Sequence, residues 1–316
     1  MLDNLFFSLN IVMPLVILAF VGYALKRIGL ISDAFAAGGN KAVFYLAIPA
    51  SLFSSIYNAN LSEIFDLRFM IFAAVWTILS MAVIWALTYV LLKKKAESVI
   101  SAFVNGAFRG NIAILALPVI DNLLGDDGAK GAMALTVIII IYNIQSIILL
   151  TLHSEKNNRL TASSLAVAVA RNPPIVWVAV AILFSLLNIN LPDFASQTVS
   201  NLSSMAVPVA LICLGANMTF KGFDAKFRYA LYSSLVKVAI MPVGVSIFAY
   251  LAGFRGTDLT ILMIMNAVPA AVAGYVMLVE IGGDVYVAAT NVILTTIMSA
   301  FTLSMLIFAF LQMGII

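Results

Sequence analysis

The sequence predicts an all-α membrane protein of ten transmembrane helices, built as two inverted five-helix repeats with helices 4 and 9 broken. Three observations carry that expectation. The first is composition: 63% of the 316 residues are hydrophobic, 10% are charged, and the mean hydropathy is +1.11. A soluble core of this length does not bury so much apolar side chain. The second is run length: the apolar stretches are mostly about 17–25 residues long and do not alternate, which suits helices crossing a hydrocarbon layer of about 30 Å rather than barrel strands of about 10 residues. The third is self-similarity. Displaced by 159 positions, Pro14 falls on Pro173, Pro49 on Pro208, Asn58 on Asn217, Gly110 on Pro269 and Asp121 on Glu280. Ala47-Ile48-Pro49-Ala50-Ser51-Leu52 likewise falls on Ala206-Val207-Pro208-Val209-Ala210-Leu211. Repeats of this kind in an apolar chain are the pattern of secondary transporters, and the helix breakers they share point to a binding site.

In order, the expected spans cover residues 5–25, 40–57, 69–92, 98–124, 131–152, 172–188, 200–219, 228–252, 258–281 and 285–313. Each end is uncertain by several residues. The first span is read as retained rather than as a cleaved leader, because Asp3 precedes it while Lys26 and Arg27 follow it. Five spans fall in residues 1–152 and five in 160–316, with an interfacial helix expected over Leu160–Arg171. Asn172-Pro173-Pro174 then opens span six, where proline is tolerated. Lysine and arginine concentrate in the odd-numbered loops, as in Lys93-Lys94-Lys95, so those loops are assigned to the cytoplasm and both termini to the outside. An odd number of spans per copy makes the second copy enter from the opposite side. The repeats are then inverted, and their two equivalent packings are the basis of alternating access.

The candidate site lies at the matched breaks. Span four carries Arg109-Gly110-Asn111 and span nine carries Asn266-Ala267-Val268-Pro269. Gly110 lies about 18 Å along the helix from Ser98, near the membrane midplane. Proline removes a backbone donor and glycine loosens the helix, so both segments can unwind and free backbone groups there. Two half-helix N-termini then converge on one locus and attract an anion; ordinary kinks in packed helices are the plain alternative. Arg109 adds a full charge, to bind an anion or to pair with Asp121 or Glu280. Asn105, Asn111 and Asn266 offer amide donors or helix bridges. Asp121 and Glu280 are repeat mates that either carry a coupled proton or sodium ion or cap loops. Lys237, about nine residues into span eight, is read as structural rather than ligating, with snorkelling to the cytoplasm as one way to place it.

Other chemistry is excluded. The net charge of +3 and pI near 8.9 reflect loop residues and imply no nucleic acid. Cys213 is the single cysteine and is read as a small buried hydrophobe. His153 is the single histidine and is expected in a polar loop, so neither a histidine-based metal cluster nor a Ser-His-Asp triad can be assembled. No phosphate-binding glycine motif is present, and no cofactor is expected.

The whole chain resembles the auxin efflux carrier family. Gly110-Asn111 ahead of Leu117-Pro118 resembles the plant carriers' Pro-Asn pair and its following proline, and Ala267-Val268-Pro269 with Glu280 resembles their ninth-helix break. Gln145-Ser146-Ile147-Ile148, Leu214-Gly215-Ala216-Asn217-Met218 and Lys237 with Pro242 extend the match. The resemblance implies a fold like that of bile-acid sodium symporters. Helices 1, 2, 6 and 7 would form a scaffold, through which a homodimer would assemble. Helices 3–5 and 8–10 would form an elevator-type transport domain with helices 4 and 9 crossed. It gives Asn111 and Gln145 ligand-contacting roles, and bacterial relatives regarded as malate or malonate permeases imply an inner-membrane carrier. Two departures, Gly110 for the first crossover proline and Arg109 for an apolar residue, favour a small, highly charged anion over an aromatic acid such as auxin. A non-transporting sensor or a channel is the remaining alternative.

Overall fold

The computed structural model describes residues 14, 17–57, 66–93, 95–124, 129–153, 167, 171, 173–187, 189–217 and 226–315. Residues 160–166 and 168–170 of the connection, Asn58, the loop at Gly125-Asp126 and the side chains of Asp121 and Pro118 lie outside the described residues. Helix α1 (17–27) is followed by α2 (Asp33–Ala42), whose first turn is capped by the Ser32 hydroxyl accepting from the Phe35 amide at 3.2 Å. The chain continues through α3 (Ile48–Tyr57), α4 (Leu67–Leu92), α5 (Glu97–Phe108), α6 (Leu117–Leu124) and α7 (Ala129–Leu152). After the linker come α8 (Pro173–Leu186), α9 (Asp193–Ala216), α10 (Phe227–Leu235), α11 (Met241–Leu251), α12 (Gly256–Ala267), α13 (Val272–Ile281) and α14 (Val285–Gln312).

The protein is an all-α membrane protein. Among the described residues, four helical stretches are long and apolar enough to cross a bilayer: Leu67–Leu92, Asp193–Ala216, Phe227–Leu251 and Val285–Gln312. Their outer faces are apolar, as at Leu91 (78% exposed), Phe194 (76%) and Met305 (70%), which is the surface a lipid solvent requires. Hydrophobicity therefore cannot drive helix against helix inside the bilayer, and close packing does that work instead. Where α1 meets α9 the backbones touch: a Cβ on Gly215 would lie 1.8 Å from the Ala19 carbonyl oxygen, and one on Gly22 2.1 Å from that of Ile212.

Among the described residues, three π-helical turns interrupt the α-helices, at Val43–Ala47, Ile112–Ala116 and Val236–Ile240. Each ends two residues before a proline: Pro49, Pro118 and Pro242. Proline brings no amide and its ring collides with the carbonyl four residues back, so a widened turn ahead of it relieves the clash. The residue before the proline then bonds five residues back, Ile48 to the Val43 carbonyl and Met241 to that of Val236. Pro208 is accommodated without such a turn, inside α9.

Packing falls into two groups. Helix α3 lies on α8 and α9, and α9 also lies on α2. Helices α4, α5, α7 and α10–α14 pack mainly among themselves, α5 being enclosed by α4, α10 and α14. Buried polar bridges bind the second group. Asn291 of α14 donates to the Ser233 and Ser234 hydroxyls, each at 3.1 Å, and Ser233 donates to the Phe103 carbonyl at 2.8 Å. The two groups meet along α13, which touches α2, α9 and the first π turn, and at the contacts of α7 with α3 and α8.

Candidate functional site

Helix α5 ends at Phe108 because Arg109 turns extended (φ −82°, ψ 112°), and α12 ends at Ala267 because Val268 does the same (φ −63°, ψ 152°). The two unwound segments cross as a short antiparallel bridge with Gly110 opposite Ala270. The Asn111 amide donates to the Pro269 carbonyl at 2.8 Å, and the Ala271 amide donates to the Arg109 carbonyl at 3.1 Å. The Ala270 amide donates to Thr295 Oγ1 at 3.0 Å. Backbone groups released by unwinding thus satisfy one another, which is how non-helical chain persists at membrane depth.

A cavity of about 80 Å³ opens beside this crossing. That is several times the ~10–15 Å³ one water needs. Arg109, Gly110 and Asn111 form one wall and Ala271, Val272 and Ala273, the start of α13, another. Val43, Leu52 and Val207 close it from the opposite helix group. Among the described residues the Asn111 side-chain amide has no hydrogen-bond partner, and neither do the first-turn amides of Val272 and Ala273. Such donors at a helix N-terminus suit an anion.

Arg109 is 5% exposed, and its guanidinium is fastened entirely by neutral groups. Nη1 donates to Ser146 Oγ at 2.8 Å, to the Tyr142 carbonyl at 3.4 Å and to Met277 Sδ at 3.2 Å; Nη2 donates to Asn143 Oδ1 at 2.8 Å. Asn105 supports the same network by accepting from Ser146 Oγ at 2.8 Å. Gly274 makes this possible, since a Cβ there would lie 2.8 Å from Asn105 Nδ2 and 3.2 Å from Arg109 Cδ. No carboxylate pairs with Arg109 among the described residues. Glu280, half-buried eight residues after Val272, is about 12 Å farther along α13 and forms no ion pair among the described residues.

Lys237 does not snorkel. It is fully buried, because the π turn and Pro242 hold it against the helix crossing, where Nζ donates to the Asn266 carbonyl at 2.8 Å. A methyl group on Gly110 would lie 3.1 Å from that ammonium. Two basic side chains therefore flank the bridge, and Lys237 occupies the carbonyl end of α12.

The remaining expected ligands sit differently. Asn266 accepts from Trp76 Nε1 at 3.0 Å and donates to the Leu262 carbonyl at 2.9 Å, so its amide is committed to helix contacts away from the cavity. Gln145, one turn past Tyr142, donates to the Thr77 carbonyl at 3.3 Å, while its buried Oε1 has no partner. Pro269 takes part through its carbonyl. His153 is buried at the end of α7 rather than in a polar loop; Trp85 Nε1 donates to its Nε2 at 2.7 Å, and Nδ1 faces Glu97. No metal-binding cluster occurs among the described residues.

Crossed, interrupted helices with a cation-flanked cavity inside an apolar helical body define a membrane transporter of small solutes. The chain belongs to the membrane transport protein family, whose family model matches residues 7–307, the same auxin efflux carrier family its motifs resemble. It is 25% identical over 302 residues to an uncharacterized transporter of Methanothermobacter thermautotrophicus, covering 94% of this chain and 96% of that one. Similarity to the uncharacterized transporter YfdV of Escherichia coli is 24% over 277 residues, 86% and 87% of the two chains. The uncharacterized transporter MJ1031 of Methanocaldococcus jannaschii is 22% identical over 304 residues, 94% and 97% of the two. These relatives are transporters, not enzymes.

Proposed function

We propose that the protein is a secondary carrier of a small organic anion, a dicarboxylate such as malate or malonate, that works by alternating access. The observation that carries this reading is the buried Arg109 guanidinium at the crossing, with the basic Lys237 behind it, no carboxylate beside them among the described residues and unpartnered amides at Asn111 and α13. An anion supplies the missing charge and takes those donors. Arg109, Gly110, Asn111 and the first turn of α13 form its seat, with Asn105 and Pro269 holding the seat in shape. Gln145 acts from the neighbouring turn, and Asn266 braces the break through Trp76 and the Leu262 carbonyl. Asp121 and Glu280 are the candidates for coupling to protons or sodium.

The mechanism draws on the inverted repeat. A two-fold that carries each residue to one 159 positions later turns the Gly110–Ala270 pair into Pro269–Asn111, and those residues also face each other. The two packing groups correspond to a scaffold (α1–α3, α8, α9) and a transport domain (α4–α7, α10–α14), and the cavity lies on their boundary. Ten spans, cytoplasmic odd loops, extracytoplasmic termini, an inner-membrane location and a homodimer through the scaffold complete the reading.

A second reading, an aromatic or other hydrophobic monocarboxylate, is favoured by the apolar wall at Val43, Leu52 and Val207. Uptake of labelled malate against labelled indole acetate into proteoliposomes separates the two. Saturable malate flux with counterflow is expected; saturable indole acetate flux without malate flux overturns the dicarboxylate reading, and ligand binding without flux makes the protein a sensor.

A further inference from the structure

A second cavity, of about 510 Å³, lies between the end of α4 and the start of α10, lined by residues other than those of the helix crossing. Thr88, Leu92 and Phe103 line its inner part, and Lys95, Arg228 and Tyr232 line its exposed part. The two cations converge on one phenol. Arg228 Nη2 donates to Tyr229 Oη at 3.0 Å with its guanidinium carbon 5.0 Å from the ring centre, and Lys95 faces the same oxygen. Neither cation meets a carboxylate among the described residues, whereas neighbouring Lys226 is paired with Asp284 at 2.7 Å. Charge is concentrated here and left unbalanced.

The depth of the cavity says what balances it. Helix α4 has 26 residues, hence a length of about 39 Å against a hydrocarbon thickness of about 30 Å, so its Leu92 end stands at headgroup level. Directly beside the cavity, Leu87 and Leu91 of α4 and Leu235 of α10 expose apolar side chains to the surroundings. A soluble anion has no use for that apolar flank. The geometry points to a binding site for an anionic phospholipid of the surrounding bilayer, its phosphate between Lys95 and Arg228 and its acyl chains along α4 and α10. Basic clefts between membrane helices at headgroup depth take such headgroups, with about a fivefold gain in affinity for each cation.

The test uses the full-length protein in neutral detergent, with bound lipid counted by native mass spectrometry during titration with phosphatidylglycerol or phosphatidylcholine. Phosphatidylglycerol is expected to bind at one saturable site, and the double variant K95Q/R228Q to bind it about 30-fold more weakly. The variant K41Q/R171Q, which removes two exposed charges elsewhere, is expected to stay within about twofold of the wild type. Equal binding of both lipids, or equal losses in the two double variants, overturns the site. Displacement of the lipid by millimolar glycerol phosphate makes it a soluble-anion site and overturns the lipid assignment.

Discussion

Replacing Arg109 with glutamine removes a whole charge from the crossing while keeping an amide donor on a shorter side chain. The guanidinium has no counter-charge among the described residues, so its field acts on whatever occupies the adjacent cavity. An anion about 6 Å from it, at an effective dielectric of about 20, gains about 3 kcal/mol, or about 100-fold in affinity. The loss from folding is small by comparison. Glutamine forfeits some of the bonds to Ser146, Asn143 and the Tyr142 carbonyl at about 1 kcal/mol each, but it also relieves the burial of an unpaired cation. Malonate affinity, read from the ligand-induced rise in melting temperature of the detergent-solubilised protein, is therefore expected to fall about 100-fold in R109Q and to recover to within about fivefold of the wild type in R109K. The unliganded melting temperature should move by only a few degrees. Malonate affinity in R109Q within about threefold of the wild type would refute the electrostatic argument.

Lys237→Met removes the second basic group, which lies 3.1 Å from where a methyl on Gly110 would sit, and malonate titration of this variant should show about tenfold weaker binding. Gly215→Ala forces a methyl group into the Ala19 carbonyl and should cost about 1–3 kcal/mol, lowering the melting temperature. Gly38→Ala, in α2 with open space around it, should raise the melting temperature through the lower entropy of the unfolded chain. Asp284→Ala removes both the cap on the Val287 amide and the ion pair with Lys226, and a loss of about 1 kcal/mol in thermal unfolding is expected.

The breaks were legible because their causes are local. Gly110 and Pro269 are breakers wherever they stand in an apolar run, and their shared offset singled them out from other prolines. What holds Arg109 was not legible, since Ser146, Asn143 and Met277 reach it from distant parts of the chain. A signal for part of it exists: Asn143 and Ser146, three residues apart, lie on one face of an otherwise apolar helix. For Lys237 the structural reading holds and the snorkelling option fails on geometry. Nine residues into a span is about 13 Å, beyond the reach of a lysine side chain to the interface, so burial with a partner was the physically consistent alternative. Asn266 fell next to a break in sequence, yet which way a side chain leaves a helix depends on its neighbours, here Trp76.

The π turns carry a consequence for insertions and deletions. Each amounts to one extra residue in a helix, placed where a following proline cannot bond. Deleting a residue from Val43–Ala47 would close the turn to α geometry while leaving what lies beyond it nearly in phase, because the extra residue is absorbed within one widened turn. Leu52 would keep its face, but the Pro49 ring would strike the carbonyl four residues back. Chain length at these three places is thus as tightly specified as residue identity, and a homologue one residue shorter there must have lost the proline as well.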